Sequence, residues 1–558
     1  MKRLFLPLLF LPLFGTAQER AAHLVERYRT PLSPAEMRYD RLAIDADIRR
    51  MRLCYANPAY RHLLPETDST VFTPRSIVLL NVADGHMDGD FLPYEGRAFS
   101  DIGLNGGGEY TPRSGGGTLF GSVRYARGGH EGIGWSAMRD PERYLPYIST
   151  DSTGGDFRFE RYAVEGGYAF PLAGWSVGLR GVFSGEQAHR LTDPRALTNT
   201  TELRADVGLA RRFGAGHLLM LQGSLGRHKQ HISLRYWRPA QQDRFFVTYG
   251  FGLYDVHQSA VLFGYSRMYY ASERTAGIVY RSPDARPLGL TLGLGYTYQS
   301  TETEESRYTL NLYGSRTHRL TPTVDLRWQA APHLTLSLLV EADLSRRQGL
   351  ENIYEQYLAD EAHHVYDYRL IDTRRRYACS RSENLMRAGF SFCPARDYTF
   401  GLSLGSLFTA RRETYRGEPY EIRNVSALPH LVLDFHRDRA RSTLDLSLVG
   451  GRSLPIGDRY CVDIANRTVQ HLDFQHAFAP YAYRAAMFTT VQMTATYLCK
   501  FRGYAVGATL RFLLTRGRRS PDATYNGEIG FASSVPMVTP TPDRHDEHWA
   551  GASVFVMF

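Results

Sequence analysis

LGLTLGLGYTY, residues 288–298, alternates without a break. Leu288, Leu290, Leu292, Leu294, Tyr296 and Tyr298 share one face, and Gly289, Thr291, Gly293, Gly295 and Thr297 the other. Successive side chains of a strand point to opposite faces, whereas a 3.6-residue period would scatter these leucines around a helix. AGWSVGLRGVF (173–183) repeats the pattern, with Trp175, Val177, Leu179 and Phe183 against Ser176, Gly178 and Arg180. So does HLTLSLLVEADL (333–344), with Leu334, Leu336, Leu338 and Val340 against Thr335, Ser337, Glu341 and Asp343. GYAVGATLRFLL (503–514) sets Tyr504, Val506, Leu510 and Phe512 against Ala505, Gly507, Thr509 and Arg511. The chain is built of long, two-faced strands.

Soluble sandwiches also alternate, so two further features decide the setting. The strands run to ten residues or more, the length a tilted strand needs to cross a bilayer. The connections also alternate, short then long. Short turns are expected near PLAG (171–174), GAG (214–216), Ala330–Pro332, PARD (394–397), RDRA (437–440) and FRG (501–503), and long polar stretches at about 237–270, 347–382, 453–486 and 515–547. Short turns on one side and long loops on the other mark an outer-membrane barrel. The composition agrees: 36 Tyr, 29 Phe and 51 Gly accompany a slightly polar mean hydropathy, as expected when only every second residue is apolar. The expected fold is all-β, a transmembrane antiparallel barrel of about 16–18 strands over residues 76–558. The count is 18 if the pair near 76–82 and 98–111 belongs to it.

Both ends fit export to that membrane. Met1-Lys2-Arg3, the apolar run Leu4 to Gly15 and the small residues Gly15-Thr16-Ala17 read as a signal peptide (1–17), with cleavage expected near Ala17/Gln18. No apolar run of 18 residues follows, so no spanning helix is expected. At the other end HWAGASVFVMF stops on Phe558, with Val556 and Val554 at alternate positions before it. The last strand of a closed barrel pairs with the first and needs no polar tail. The ending resembles the terminal signal read by the barrel-assembly machinery, which makes Val554, Val556 and Phe558 the expected recognition residues. The expected location is the outer membrane of a Gram-negative bacterium, in contact with its lipid and lipopolysaccharide.

Residues 18–75 differ from the rest. Ser33, Pro34 and Glu36 form an N-cap, a first helical position and a capping box, and Ile44, Ile48 and Met51 follow on one face. A short helical extension is expected, either periplasmic or folded into the lumen. It is too short to be the plug of a TonB-dependent receptor, which argues against energy-coupled import by this chain alone.

Three stretches, YLPYISTDSTGGDFRFERY (144–162), DPR (193–195) and TYGFGLYD (248–255), together with NPAY (57–60), resemble an uncharacterised family of Bacteroidota outer-membrane β-barrel proteins known by a domain-of-unknown-function label. The resemblance implies a barrel in the outer membrane and supplies no ligand or catalytic residue.

Candidate sites are few. Asp151, Asp156 and Glu160 surround the Gly154-Gly155 turn with oxygen ligands, a weak pattern for a hard cation. The same residues serve equally as Asp caps of a polar turn, which is the reading preferred here, and no cofactor is expected. Tyr144, Pro146 and Tyr147 suit the membrane interface or a loop root. EAHH (361–364) and DRHDEH (543–548) mix His with carboxylates but fall in expected outer loops, where such residues are ordinary solvated surface. Cys54, Cys379, Cys393, Cys461 and Cys499 show no CxxC spacing. Cys379 and Cys393 either pair or, the preferred reading, remain thiols.

The formal charge is +9, yet Lys2, Lys229 and Lys500 are the only lysines and every other basic residue is arginine. The arginines alternate with acids along the chain, which gives no patch for nucleic acid. If the apolar faces meet lipid, the opposite faces carry Arg180, Arg204, Asp206, Gln222, Glu341, Asp343, Asp445 and Arg511 into the lumen. Such charges need water or partners.

GxSxG, HExxH and P-loop patterns are missing, so an enzyme has no positive support, although a hydrolase assembled from scattered loop residues would leave none. Two functions fit. The first is passage or capture of a solute at the cell surface without an energy-coupled plug. The second is a structural barrel whose outer loops dock a surface lipoprotein, a secretion component or a host molecule.

Overall fold

The computed structural model describes residues 34–43, 46–63 and 75–558, with isolated positions before Pro34 and breaks at 236–244, 258–264, 462–470, 520–543 and a few shorter turns. Eighteen antiparallel strands close into one barrel. In chain order they are β1 (Ser76–Gly89), β2 (Ala98–Tyr110), β3 (Thr118–Ile133), β4 (Gly155–Leu172), β5 (Trp175–Arg190), β6 (Arg195–Phe213), β7 (His217–Arg235), β8 (Tyr265–Arg281) and β9 (Leu288–Glu305). Then follow β10 (Leu310–Ala331), β11 (Leu334–Asp360), β12 (Tyr377–Ala395), β13 (Tyr398–Tyr415), β14 (Tyr420–Arg439), β15 (Ser442–Arg452), β16 (Ala486–Lys500), β17 (Ala505–Arg519) and β18 (His545–Met557). Each pairs with its sequence neighbours, and β18 pairs with β1 from Ile77↔Met557 to Gly89↔His545. Phe558 continues that seam, its N–H donating to Ser76 O at 3.0 Å and its carbonyl accepting from Arg75 and Ser76.

The barrel is apolar outside. Leu225 and Leu404 are each 65 % exposed and Leu203 61 %, whereas inward-facing Leu79 and Met220 are buried. Ten residue steps from Leu288 to Tyr298 cover about 33 Å of strand, and a tilt of about 40° reduces that to about 25 Å of height, one bilayer's hydrocarbon. Soluble proteins rarely expose so continuous an apolar surface.

Turn chemistry separates the two rims. The β4–β5 connection is two residues, Ala173 at φ 49° and Gly174 at φ 78°, the both-positive geometry whose twist matches a hairpin. On that rim the connections near 214–216, 332–333, 396–397, 440–441 and 501–504 are equally brief.

The opposite rim departs from expectation most clearly in two places. The stretch 347–382 is mostly not loop: β11 runs on past the rim and pairs with Val365–Arg374 in a projecting hairpin whose turn is EAHH. Its alternation is weak because both faces meet solvent, so the sequence reads as polar loop. The stretch 543–548 is also not all loop, since β18 begins at His545 and buries His545 and Glu547 inside the barrel.

Two helices, α1 (Pro34–Ala43) and α2 (Ala46–Tyr55), and a 3-10 turn (Pro58–Leu63) precede β1, and α3 (Phe474–Arg484) lies between β15 and β16. Ser33, Ile44 and the leader 1–17 fall outside the described residues. Within the helices Met51 is buried and Ile48 half-buried.

Candidate functional site

A barrel of 18 strands encloses more room than its own side chains fill. The N-terminal residues enter that room. Val25 and Tyr28 pack on Ile77, Leu79 and Phe555 near the short-turn rim. α1 then reaches toward the far rim, where Arg38 pairs with Glu95 at 2.6 Å and Glu547 at 3.2 Å. Tyr39 packs against Trp549 with ring centroids 4.8 Å apart and donates its hydroxyl to Met493 O at 2.9 Å, and its burial pushes the phenol up to about 12. α2 comes back along the opposite wall, with Arg49 on Glu341 and Arg50 3.7 Å from Asp325.

The 3-10 turn then seats against β4–β6 through NPAY. Asn57 donates to Leu209 O at 3.2 Å and Leu221 O at 2.7 Å, Ser176 donates to Ala59 O at 2.7 Å, and Arg61 meets Glu109 at 2.5 Å. The seat exists because the wall lacks side chains there. A Cβ on Gly178 would lie 2.2 Å from Ala59 N, and one on Gly208 2.0 Å from Asn57 Oδ1.

The long-loop rim is filled from the other side. The segment 134–154 folds inward, burying Tyr144 and Tyr147. These residues do not lie at the membrane interface. Tyr144 bonds His228 Nδ1 at 2.6 Å and Tyr147 donates to Glu351 at 3.2 Å. Burial raises both phenols' pKa well above the usual tyrosine range. Ser149–Asp151 pairs with Phe245–Gly250, which pairs with Leu253–His257, which pairs with His471–Leu472, so a four-stranded sheet lies over the mouth. Glu142 ties this cap down. It accepts from Tyr94 at 2.7 Å, and although burial works against its charge, Arg411 and Arg484 hold the carboxyl down at about 2.

Between the N-terminal helices and the wall remains a cavity of about 390 Å³ lined by Met37, Arg41, Arg49, Arg52, Thr323 and Glu341, among others. Met37, 54 % exposed, shows that water reaches this part of the lumen.

The polar residues singled out from alternation lie around this interior, mostly in pairs. Arg180 bonds Asp206 at 2.6 Å, which also meets Arg204 at 3.2 Å. Glu341 takes Arg49, Asp343 takes Arg319 at 2.6 Å, and Asp445 takes His436. Arg511 is buried and reaches Ser553 at 3.4 Å, while Gln222 is half-buried. Val554 and Phe558 point outward, 55 % and 52 % exposed, on the wall of the closing seam, and Val556 shares that face half-buried.

Asp151, Asp156 and Glu160 are not brought together. Asp151 is buried on Arg190 at 2.6 Å and caps the N–H groups of Thr153 and Gly154 at 2.9 Å. Asp156 accepts from Gly132 N, and Glu160 faces outward beside Arg127. Among the described residues no group of three or more metal-ligating side chains assembles. Cys379 and Cys393 lie on the one strand β12, 14 residues or about 46 Å apart, and all five cysteines are thiols. Neither alternation nor a motif marks Arg49, Arg61, Tyr39 or Glu142. The available signal was the run of inward glycines in β5, β6 and β9, sites where a second layer of chain approaches the wall.

A family model described as a family of unknown function (DUF6850) matches residues 70–548. No curated protein matches. Among solved structures, the chain is similar to BauA, the ferric preacinetobactin receptor from Acinetobacter baumannii, at 10% identity over 87% of this chain and 80% of that one, TM-score 0.39. It is similar to the FrpB iron transporter from Neisseria meningitidis at 9% identity over 87% and 82%, TM-score 0.38. It is also similar to the ferric citrate transporter FecA at 9% identity over 86% and 79%, TM-score 0.37.

Proposed function

Since the chain belongs to the family of unknown function DUF6850, its function has to be read from its own geometry, and we propose that it is a barrel of the bacterial outer membrane, closed at rest, that captures and passes a small polar solute. The observation that carries this is how the lumen is filled. Besides apolar contacts such as Val25 and Tyr28 on Ile77, the N-terminal segment meets the wall through ion pairs and hydrogen bonds such as Arg49–Glu341, Arg50–Asp325 and Asn57–Leu221 O, beside a wet, arginine-lined cavity. Arg49 and Glu341 border that cavity with side chains 14 % and 25 % exposed, so water can replace their contact more cheaply than it could re-wet a purely apolar plug. The exposed apolar belt supports the membrane setting.

Planar-bilayer conductance tests the reading. The intact mature protein should pass little steady current, and a form lacking residues 18–70 should pass more. No current from either form would refute passage.

A second reading rests on the projecting hairpin. Tyr357, Leu358, Val365, Tyr366, Leu370 and Ile371 are 41 to 57 % exposed there, outside the belt. This apolar ribbon suits a docking barrel whose partner is a surface lipoprotein or secretion component. Deleting 354–371 should abolish capture of such a partner and leave conductance unchanged.

A further inference from the structure

On the outer wall, across the seam of first and last strands, the described residues leave a groove of about 850 Å³. Two rows of paired, outward residues cross it: Leu510–Ala552–Val82–Ile102–Arg127 and Phe512–Ala550–Asp84–Ser100–Gly129–Arg158. Between Phe512 and Leu510 on one side and the arginines on the other, the floor dips at Ala550, Ala552, Ser100 and Gly129, and Val82, Ile102 and Asp84 rise from it. The rows also climb. With strands about 4.8 Å apart and tilted about 40°, each strand step rises about 3 Å, so Arg158 lies about 15 Å above Phe512.

The direction of climb follows from where the apolar face ends. On β17 it continues through Leu510 and Phe512 to Leu514. On β3 it stops at Tyr125, although Arg127, the next outward residue, shares its row with Leu510 four strands away, so the row rises from β17 to β3. Tyr125 and Tyr162, ring centroids 5.0 Å apart, mark the interface just beneath Arg127 and Arg158. The groove is therefore apolar at depth and cationic where head groups begin.

We propose that this groove holds an acyl chain of a phosphorylated glycolipid of the outer leaflet, of the lipid A kind, with Arg127 and Arg158 on its phosphate. This rests on the outer-membrane reading above. Anything filling a groove inside the apolar belt must itself be lipid, which fixes the class of the deep end. The head end is fixed by charge. Arg158 makes no hydrogen bond or ion pair among the described residues, and Arg127 has only the 3.7 Å contact with exposed Glu160. Guanidinium forks match phosphate oxygens two at a time. Asp84, the carboxylate on the outward floor, accepts from the amide and hydroxyl groups that a phosphorylated sugar lipid carries and a phosphatidyl lipid such as phosphatidylethanolamine presents less densely.

The test is native mass spectrometry of the full mature chain with lipid A, dephosphorylated lipid A and phosphatidylethanolamine. It compares wild type, Arg127→Ala/Arg158→Ala and the groove-filling Ala550→Leu/Ala552→Leu. Wild type should keep one lipid A, and loss of the phosphate or of the two arginines should each weaken retention about tenfold or more, as expected for charge-assisted bonds. Filling the groove should weaken retention of every lipid. Equal retention in all three proteins, or no preference for phosphorylated lipid A, overturns the proposal. Insertion into lipid vesicles is measured alongside. A folded protein that fails to insert refutes the membrane reading itself, and one that inserts without discriminating refutes only the groove.

Discussion

Glu109→Gln removes the counter-charge of Arg61 and leaves everything else in place. Arg61 lies in the 3-10 turn with its side chain 3 % exposed, and Glu109, at the short-turn end of β2, is 11 % exposed. Breaking a buried pair from one side costs about 3–5 kcal/mol, because the remaining charge stays desolvated. Two rings soften that figure: the guanidinium lies 4.5 Å from the Tyr55 ring centroid and 4.8 Å from that of Phe120, and such stacking is worth about 0.5–2 kcal/mol to a cation. Unlike a strand residue, Arg61 also has an escape, since the turn can leave its seat and carry the charge into water. The docked turn should therefore lose about 2–3 kcal/mol relative to the released one, a shift of about 30–150-fold.

The chain carries its own reporter. Cys54, at the end of α2, is 1 % exposed and packs in one cluster with Ala59 and Tyr60, so a water-soluble maleimide reaches it only when the turn lets go. With the other four cysteines changed to serine, the labelling rate of Cys54 in Glu109→Gln should rise by the same 30–150-fold while the barrel keeps its heat-modifiable gel migration. Arg61→Leu with Glu109→Leu should return labelling toward the wild-type rate, because an apolar pair of similar size avoids the buried charge. A rise of less than about threefold in the single variant would refute the claim that charge holds the segment in the lumen.

Three further outcomes follow from the same geometry. Gly178→Val places a Cβ 2.2 Å from Ala59 N, so the turn cannot seat, and planar-bilayer current should exceed wild type although valine suits a strand; unchanged current would disprove the seat. Glu142 has its carboxyl depressed from the ordinary 4.5 to about 2, so its contribution to the cap is complete above pH 4.5 and is lost as pH falls through about 2; proteolysis within 134–154 should stay flat from pH 7 to 5 and rise only toward pH 2. Trp549→Ala removes a fully buried ring from Tyr39 and should cost about 3–5 kcal/mol, read as a lower unfolding temperature, with Trp549→Phe recovering most of it.

The wall was legible in the sequence because lipid imposes a strict rule. Leu288 through Tyr298 must be apolar at every second step, and any strand so written announces its outward face. The first strand pair was harder. Asn81, Ala83 and Gly85 face inward and Asp84, His86 and Asp88 extend past the belt, so the alternation from Ser76 to Gly89 is short and fades halfway. The hairpin beyond Glu351 looks like polar loop for a related reason: with solvent on both faces, Glu355, Tyr357, Asp367 and Arg369 need no alternation at all.

The filling of the lumen was not legible, and the reason lies in how it is specified. Gly178 and Gly208 read alone as weak points in two strands, and Asn57 reads alone as a loop residue. Each acquires meaning only when Asn57 and Ala59 lie where those Cβ atoms would be. Arg49, Arg50 and Arg61 likewise look like a solvated helix face until Glu341, Asp325 and Glu109 stand opposite them, between 48 and 292 residues further along the chain. Contacts of that kind carry no period along the chain. The interior is specified by pairs, and a segment held by pairs of opposite charge in a wet lumen is one that a change at a single residue can loosen without disturbing the wall.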